Sequence, residues 1–173
     1  GNPLFVEEVT RSLVEEGVLR REGDRVVLTR ALSDVAVPDS IHGVLMARLD
    51  RLDDEPKWAL QLASVIGREF ALRLLARVTE IGDGLSPLLT ELRALELIYE
   101  KVAHPELAYM FKHALTHDVA YESILVQRRK ELHRAIGIAI EELYGDRLVE
   151  HHETLALHFT RGEDWPRAFA YHT

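Results

Sequence analysis

Histidine and arginine are the residues through which this 173-residue chain could do chemistry, because it holds nine histidines and no cysteine. His113 and His117 lie four apart in a stretch of helical pattern, so their rings can share one face, a geometry that permits zinc. A tetrahedral site needs a third protein ligand, and the sequence fixes none. His151, His152 and His158 make a looser second set. Solvated or core imidazoles are the ordinary reading of both sets, and no metal is expected. The run Arg128-Arg129-Lys130, with Arg134, could touch phosphate. Glu131, Glu141 and Glu142 follow closely, however, and such a run on a helix is ordinarily a solvated face.

Catalytic signatures are missing. There is no G-x-x-x-x-G-K-[ST] phosphate loop, no G-x-G-x-x-G turn, no G-x-S-x-G elbow and no H-E-x-x-H pair. The chain is therefore expected neither to cleave a nucleotide by itself nor to be an enzyme. Without cysteine there are no disulfides or thiol nucleophiles, which fits a cytoplasmic location. A net charge of −8 argues against broad binding to nucleic acid or to membrane surfaces, both of which need cationic surface. With 47% hydrophobic and 29% charged residues, a disordered chain is excluded. No apolar run approaches the roughly 18–20 residues that span a bilayer. No export signal opens the chain. It starts on a helix cap without an initiator methionine, and is expected to be cut from something longer.

The elements that must position these residues can be read from periodicity and turn chemistry. Asn2 and Pro3 suit a helix start, with Phe5, Val6, Val9 and Leu13 inward and Glu7, Glu8, Arg11 and Glu15 outward. Gly17 suits the left-handed position that ends a helix. Gly23-Asp24 is a two-residue hairpin turn within residues 18–29, and a loop over 30–38 comes next. A second helix carries Ile41, Val44, Leu45, Leu49 and Leu52 inward, with Arg48 and Arg51 off the stripe; a third runs to Gly67. A short helix over 70–78 and another over 85–97 precede two strands, 97–102 and 107–112, joined by a turn holding Pro105. Three helices and then a hairpin is the order of a winged helix-turn-helix. Beyond it, helices over 114–125, 127–144 and 148–160, and a fourth from Trp165, read as antiparallel helical-repeat pairs. In the expected reader helix, Arg93 stands alone against Asp83, Glu91 and Glu96, so DNA is a poor partner.

Three stretches together resemble the signal-transduction ATPases with numerous domains. They are Gly1-Asn2-Pro3-Leu4-Phe5-Val6-Glu7-Glu8; the segments Val37-Pro38-Asp39-Ser40-Ile41, Ala47-Arg48-Leu49-Asp50-Arg51-Leu52 and Val65-Ile66-Gly67-Arg68-Glu69-Phe70; and, most specifically, Phe111-Lys112-His113-Ala114-Leu115-Thr116-His117-Asp118-Val119-Ala120-Tyr121-Glu122-Ser123. The combination resembles bacterial members linked to a nucleotide cyclase or to a LuxR-type DNA-binding domain. The resemblance implies a mainly α chain: a helical lid with a small β-hairpin over 1–53, a winged-helix domain over 54–125, and the start of a tetratricopeptide-like repeat over 126–173.

The implied role is non-catalytic. It would couple an upstream ATPase domain to a downstream helical sensor in a signalling or transcription-regulating protein, with no cofactor in this chain, ATP or ADP in the parent, and oligomerisation of the parent compatible. Gly1 and Pro3 match the lid's G-x-P beside the adenine. His113 matches the histidine of the Met-His-Asp motif that reaches the ADP β-phosphate, while Ala114 stands where that motif has Asp. Two alternatives stand beside this: a DNA-binding winged-helix regulator, and a protein-interaction scaffold without nucleotide control. A helix start for Pro3 and a structural role for His113 are the plain readings of those residues.

Overall fold

The structure, a computed structural model, describes residues 3–29, 40–102 and 106–172. Gly1, Asn2, the expected loop over 30–38 and the turn at Pro105 lie outside the described residues. The chain divides into two compact units, Gly1–Leu52 and Asp53–Thr173. The described residues are mainly helical, with two small antiparallel sheets. No described helix is long and apolar enough to cross a membrane.

In the first unit, α1 (Pro3–Glu15) ends as its glycine dictates. Gly17 takes φ 68°, Val18 N–H donates to the Leu13 carbonyl at 2.9 Å, and Gly17 N–H donates to Val14 at 3.0 Å. Strands β1 (Leu19–Glu22) and β2 (Arg25–Leu28) form the hairpin around Gly23, which is also left-handed, with Glu22 opposite Arg25. Thr29 closes its base by donating to the Gly17 carbonyl. α2 (Ile41–Asp50) starts at Ser40, whose hydroxyl accepts from Gly43 N–H at 3.1 Å. The polar face of α1 differs from the expected one. Glu8 is buried and Val6 is exposed, while on α2 Arg48 is buried as well. The reason is pairing: the Arg48 guanidinium bonds Glu8 and, at 3.2 Å, Glu15, so both charges can enter the contact between the two helices.

The second unit is built around α3 (Asp54–Ile66), whose Ala59, Leu60, Leu62, Ala63 and Val65 are all buried. So wide an apolar face needs cover on several sides, and α3 packs against four later helices. Gly67 then adopts φ 155° with ψ −177°, a region open only to glycine, and turns the chain out of the helix. The helix expected from Phe70 is corrected here. Residues Glu69–Ala71 form β3, and the helix α4 begins only at Leu72 and runs to Thr79. The strand exists because a partner edge is available: Glu69, Phe70 and Ala71 face Met110, Tyr109 and Ala108.

α5 (Leu85–Ala94) ends with Glu96 at φ 55° and Leu97 N–H bonded back to Leu92. β4 (Ile98–Val102) and β5 (Leu107–Phe111) complete a three-stranded antiparallel sheet in the order β3-β5-β4. Phe70 stacks on Tyr109 at 6.0 Å and meets Phe111 edge-on at 5.9 Å, anchoring the sheet on α3 and α4.

Helices fill the rest: α6 (Ala114–Glu122), α7 (Val126–Leu143), α8 (His152–Arg161) and α9 (Trp165–Tyr171). The helix expected from Leu148 starts later, because Gly145–His151 winds as a 3-10 turn broken at Arg147. Glu163, not Gly162, supplies the left-handed residue after α8. Gly162 is small for another reason: a Cβ there would lie 2.6 Å from Arg134 Cγ and 3.1 Å from its backbone nitrogen.

α7 and α8 pack closely at Gly137. A Cβ at that position would come within 2.7 Å of the Phe159 ring, which is fully buried and has nowhere to go. Gly137→Val is therefore expected to cost about 1–3 kcal/mol of overpacking. A lower urea midpoint at unchanged slope would show it.

Candidate functional site

The junction between β5 and α6 holds the sequence's best candidate, His113. Phe111 N–H donates to the Arg68 carbonyl and Lys112 N–H to the Leu97 carbonyl, both at 3.0 Å, so the two residues before it are pinned to opposite neighbours. His113 is the next residue, and it occupies the N-cap position of α6 with extended φ −130° and ψ 142°. Its carbonyl accepts the His117 N–H at 3.3 Å. Its side chain caps nothing, and Nε2 has no hydrogen-bond partner among the described residues. The opening N–H groups of a helix lack intrahelical acceptors and carry the positive end of its dipole. A ring nitrogen without a partner donates or accepts according to its tautomer.

Its sequence neighbour is committed elsewhere. His117 Nε2 lies 2.9 Å from the Ser64 carbonyl, to which it donates, and Nδ1 lies 2.9 Å from Asp118. Both nitrogens are engaged within the unit and neither is open to an ion. Pro3 is the first residue of α1, in the other unit, while Gly1 lies outside the described residues. The looser histidine set disperses. The His151 ring packs 4.3 Å from that of Tyr144, His152 meets Tyr171 at 5.4 Å, and His158 turns into the core. No family model matches the chain, and no curated protein matches it.

The basic run of α7 is used inside the fold. Arg128 lies over the Trp58 ring at 5.3 Å and Arg129 over Tyr121 at 4.8 Å, while Lys130 pairs with Glu163 at 2.7 Å. These contacts fasten α7 to α3, α6 and the turn after α8, while Arg128 itself stays exposed, as a solvated face would be.

A buried pair was not expected from the sequence. His133 and His158 are each about 1% exposed, and their Nδ1 atoms lie 2.8 Å apart. Burial first, then the charge of the partner ring and of Arg161 and Arg129, hold the His133 pKa down to about 3. Burial and Arg161 lower His158 to about 4. The signal in the sequence was position. His133 precedes Ile136 by three, and His158 comes three after Leu155, so each lies on its helix's apolar stripe.

Proposed function

We propose that this chain is a regulatory, non-catalytic part of a nucleotide-dependent signalling protein. In this reading residues 1–53 are the lid, 54–125 a winged helix with the β4–β5 hairpin as wing, and 126–173 the start of a tetratricopeptide-like array. It transmits between the nucleotide state of an ATPase domain preceding it and a helical sensor after it. The observation that carries the reading is the position of His113. It is the first residue but one beyond the sheet, it opens α6, and its Nε2 is without a partner among the described residues. The order of helices and strands in residues 54–111, with β5 central, supports the winged-helix part. The close α7–α8 packing at Gly137 supports the repeat part.

DNA binding is the weaker reading. Arg93, the lone cation of α5, is held by Glu100 at 3.0 Å, Lys112 by Glu96 at 3.1 Å and Lys101 by Glu69 at 2.6 Å. Cations already paired with carboxylates have little to offer a phosphate backbone.

A charge-assisted bond from imidazole to phosphate contributes roughly 1.5–3 kcal/mol. In the complete polypeptide this reading calls for, His113→Ala is expected to weaken ADP retention about ten-fold or more, as measured by nucleotide dissociation. Unchanged retention would favour a scaffold without nucleotide control. The 173-residue chain alone is expected to give no calorimetric signal with ADP.

A further inference from the structure

The buried histidine pair belongs to a row that crosses the second unit. Tyr121 on α6 lies with its hydroxyl 2.9 Å from His133 Nε2, and His133 Nδ1 meets His158 Nδ1 at 2.8 Å. His158 lies against the backbone of Ile66, the last residue of α3, and its Nε2 has no hydrogen-bond partner among the described residues. A carbonyl can only accept, and with Tyr121 donating to His133 the row takes one order of protons. His158 carries its proton on Nε2 and accepts at Nδ1. His133 donates from Nδ1 and accepts the Tyr121 proton at Nε2. Every proton position in the row is then occupied once.

A further proton has no place in this arrangement. Protonating either ring sets N–H against N–H at the Nδ1 contact, or withdraws the acceptor that Tyr121 uses. Two facing arginines oppose it too. From α8 the facing charge is Arg161, from α7 it is Arg129, and from α6 His117 stacks on Tyr121 at 6.4 Å with Asp118 bound at its other side. The face from α3 is the Ile66 carbonyl. Beyond the row, α8 is held to α7 by Phe159 packed on Gly137, and α9 by Tyr171, which donates to Glu141 at 2.7 Å. The row ties α7 and α8 to α6 and lies against the end of α3.

We propose that the His133–His158 contact is an acid-sensitive latch, which holds the α8–α9 pair on α7 and releases it locally when the rings take up protons, before α3 and α5 unfold. The latch does not depend on the nucleotide reading of His113.

The open form exposes two imidazoles of ordinary acidity, near 6.5 each, that the closed form keeps neutral. Lowering the pH from 7.5 to 5.5 is then expected to raise the opening constant roughly 100-fold. Amide hydrogen exchange of the 173-residue chain reads this directly, after correction for intrinsic rates. Amides of α8 and α9 are expected to open more readily than those of α3 and α5 at each pH, and to show the full rise. His158→Gln leaves one titrating ring and is expected to reduce the rise to roughly 10-fold. Should that variant not fold, ring nitrogen chemical shifts of the native protein replace it: at pH 5.5 the closed form is expected to show Nδ1–H on His133 and Nε2–H on His158. The latch is overturned if α8 and α3 share one exchange rate throughout. A rise below roughly three-fold, or rings that protonate near pH 6.5 without opening, overturns it equally.

Discussion

Arg48→Ala is expected to cost roughly 3–5 kcal/mol, because it strands a carboxylate inside the first unit. Glu8 is 1% exposed, and Arg48 is its principal counter-charge; Arg11, the next cation among the described residues, stands at 3.6 Å. A unit of about fifty residues has little stability to spare, so the loss is expected to melt the contact between α1 and α2 at room temperature. Amide spectra of residues 3–29 and 40–52 would show it as collapse of dispersion. The double variant Glu8→Leu with Arg48→Met removes both charges and is expected to be near neutral, since a buried pair rarely outperforms apolar residues of its size. A cost below about 1 kcal/mol for Arg48→Ala would mean that water reaches Glu8.

The second large effect is acid lability of the unit that holds the histidine pair. Folded pKa values of about 3 for His133 and about 4 for His158 lie below the ordinary value of 6.5. Between those limits the unfolded chain binds more protons than the folded one, so stability falls as the pH falls. The effect is absent above pH 7, begins near 6.5, and by pH 5 amounts to roughly 2 kcal/mol for each ring. Urea unfolding at pH 7.5 and pH 5 is expected to differ by about 4 kcal/mol from this source. Replacing both rings with Gln is expected to flatten the dependence even if it lowers stability at neutral pH. An alkaline counterpart exists at Tyr144. Burial, and then its hydrogen bond to Glu106, push its pKa up to about 12, so that stability is lost as the pH climbs from 10 towards 12.

The consequences of these two sites differ in scale. Loss of one member of the Glu8–Arg48 pair alone is expected to part α1 from α2. The imidazole pair offers a graded response, because each proton taken up shifts the balance by a fixed factor. Elements that part without global unfolding open with a smaller free energy than the whole unit. In the proposed latch that role falls to the contact between α7 and α8, where His133 and His158 meet.

Much of the element order was legible residue by residue. Alternation and helical spacing are local properties, and so are the demands of turns. Gly17 and Gly23 take left-handed backbone where the sequence places them. The strands around Pro105 and the helices from Ala114 onward obey the same local rules. Sequence spacing could not supply the identity of partners far along the chain. β3 spans three residues with no pattern of its own, and becomes a strand only because β5 presents an edge to it. Glu8 and Arg48, 40 residues apart, look like two solvent-facing charges until their helices pack. His133 and His158, 25 apart, look like interruptions of apolar stripes until α7 and α8 meet at Gly137. Turn geometry and periodicity are fixed by neighbouring residues, and the chain states them openly. Burial of a polar group is decided by whether folding delivers a partner to it, and that depends on the tertiary structure alone.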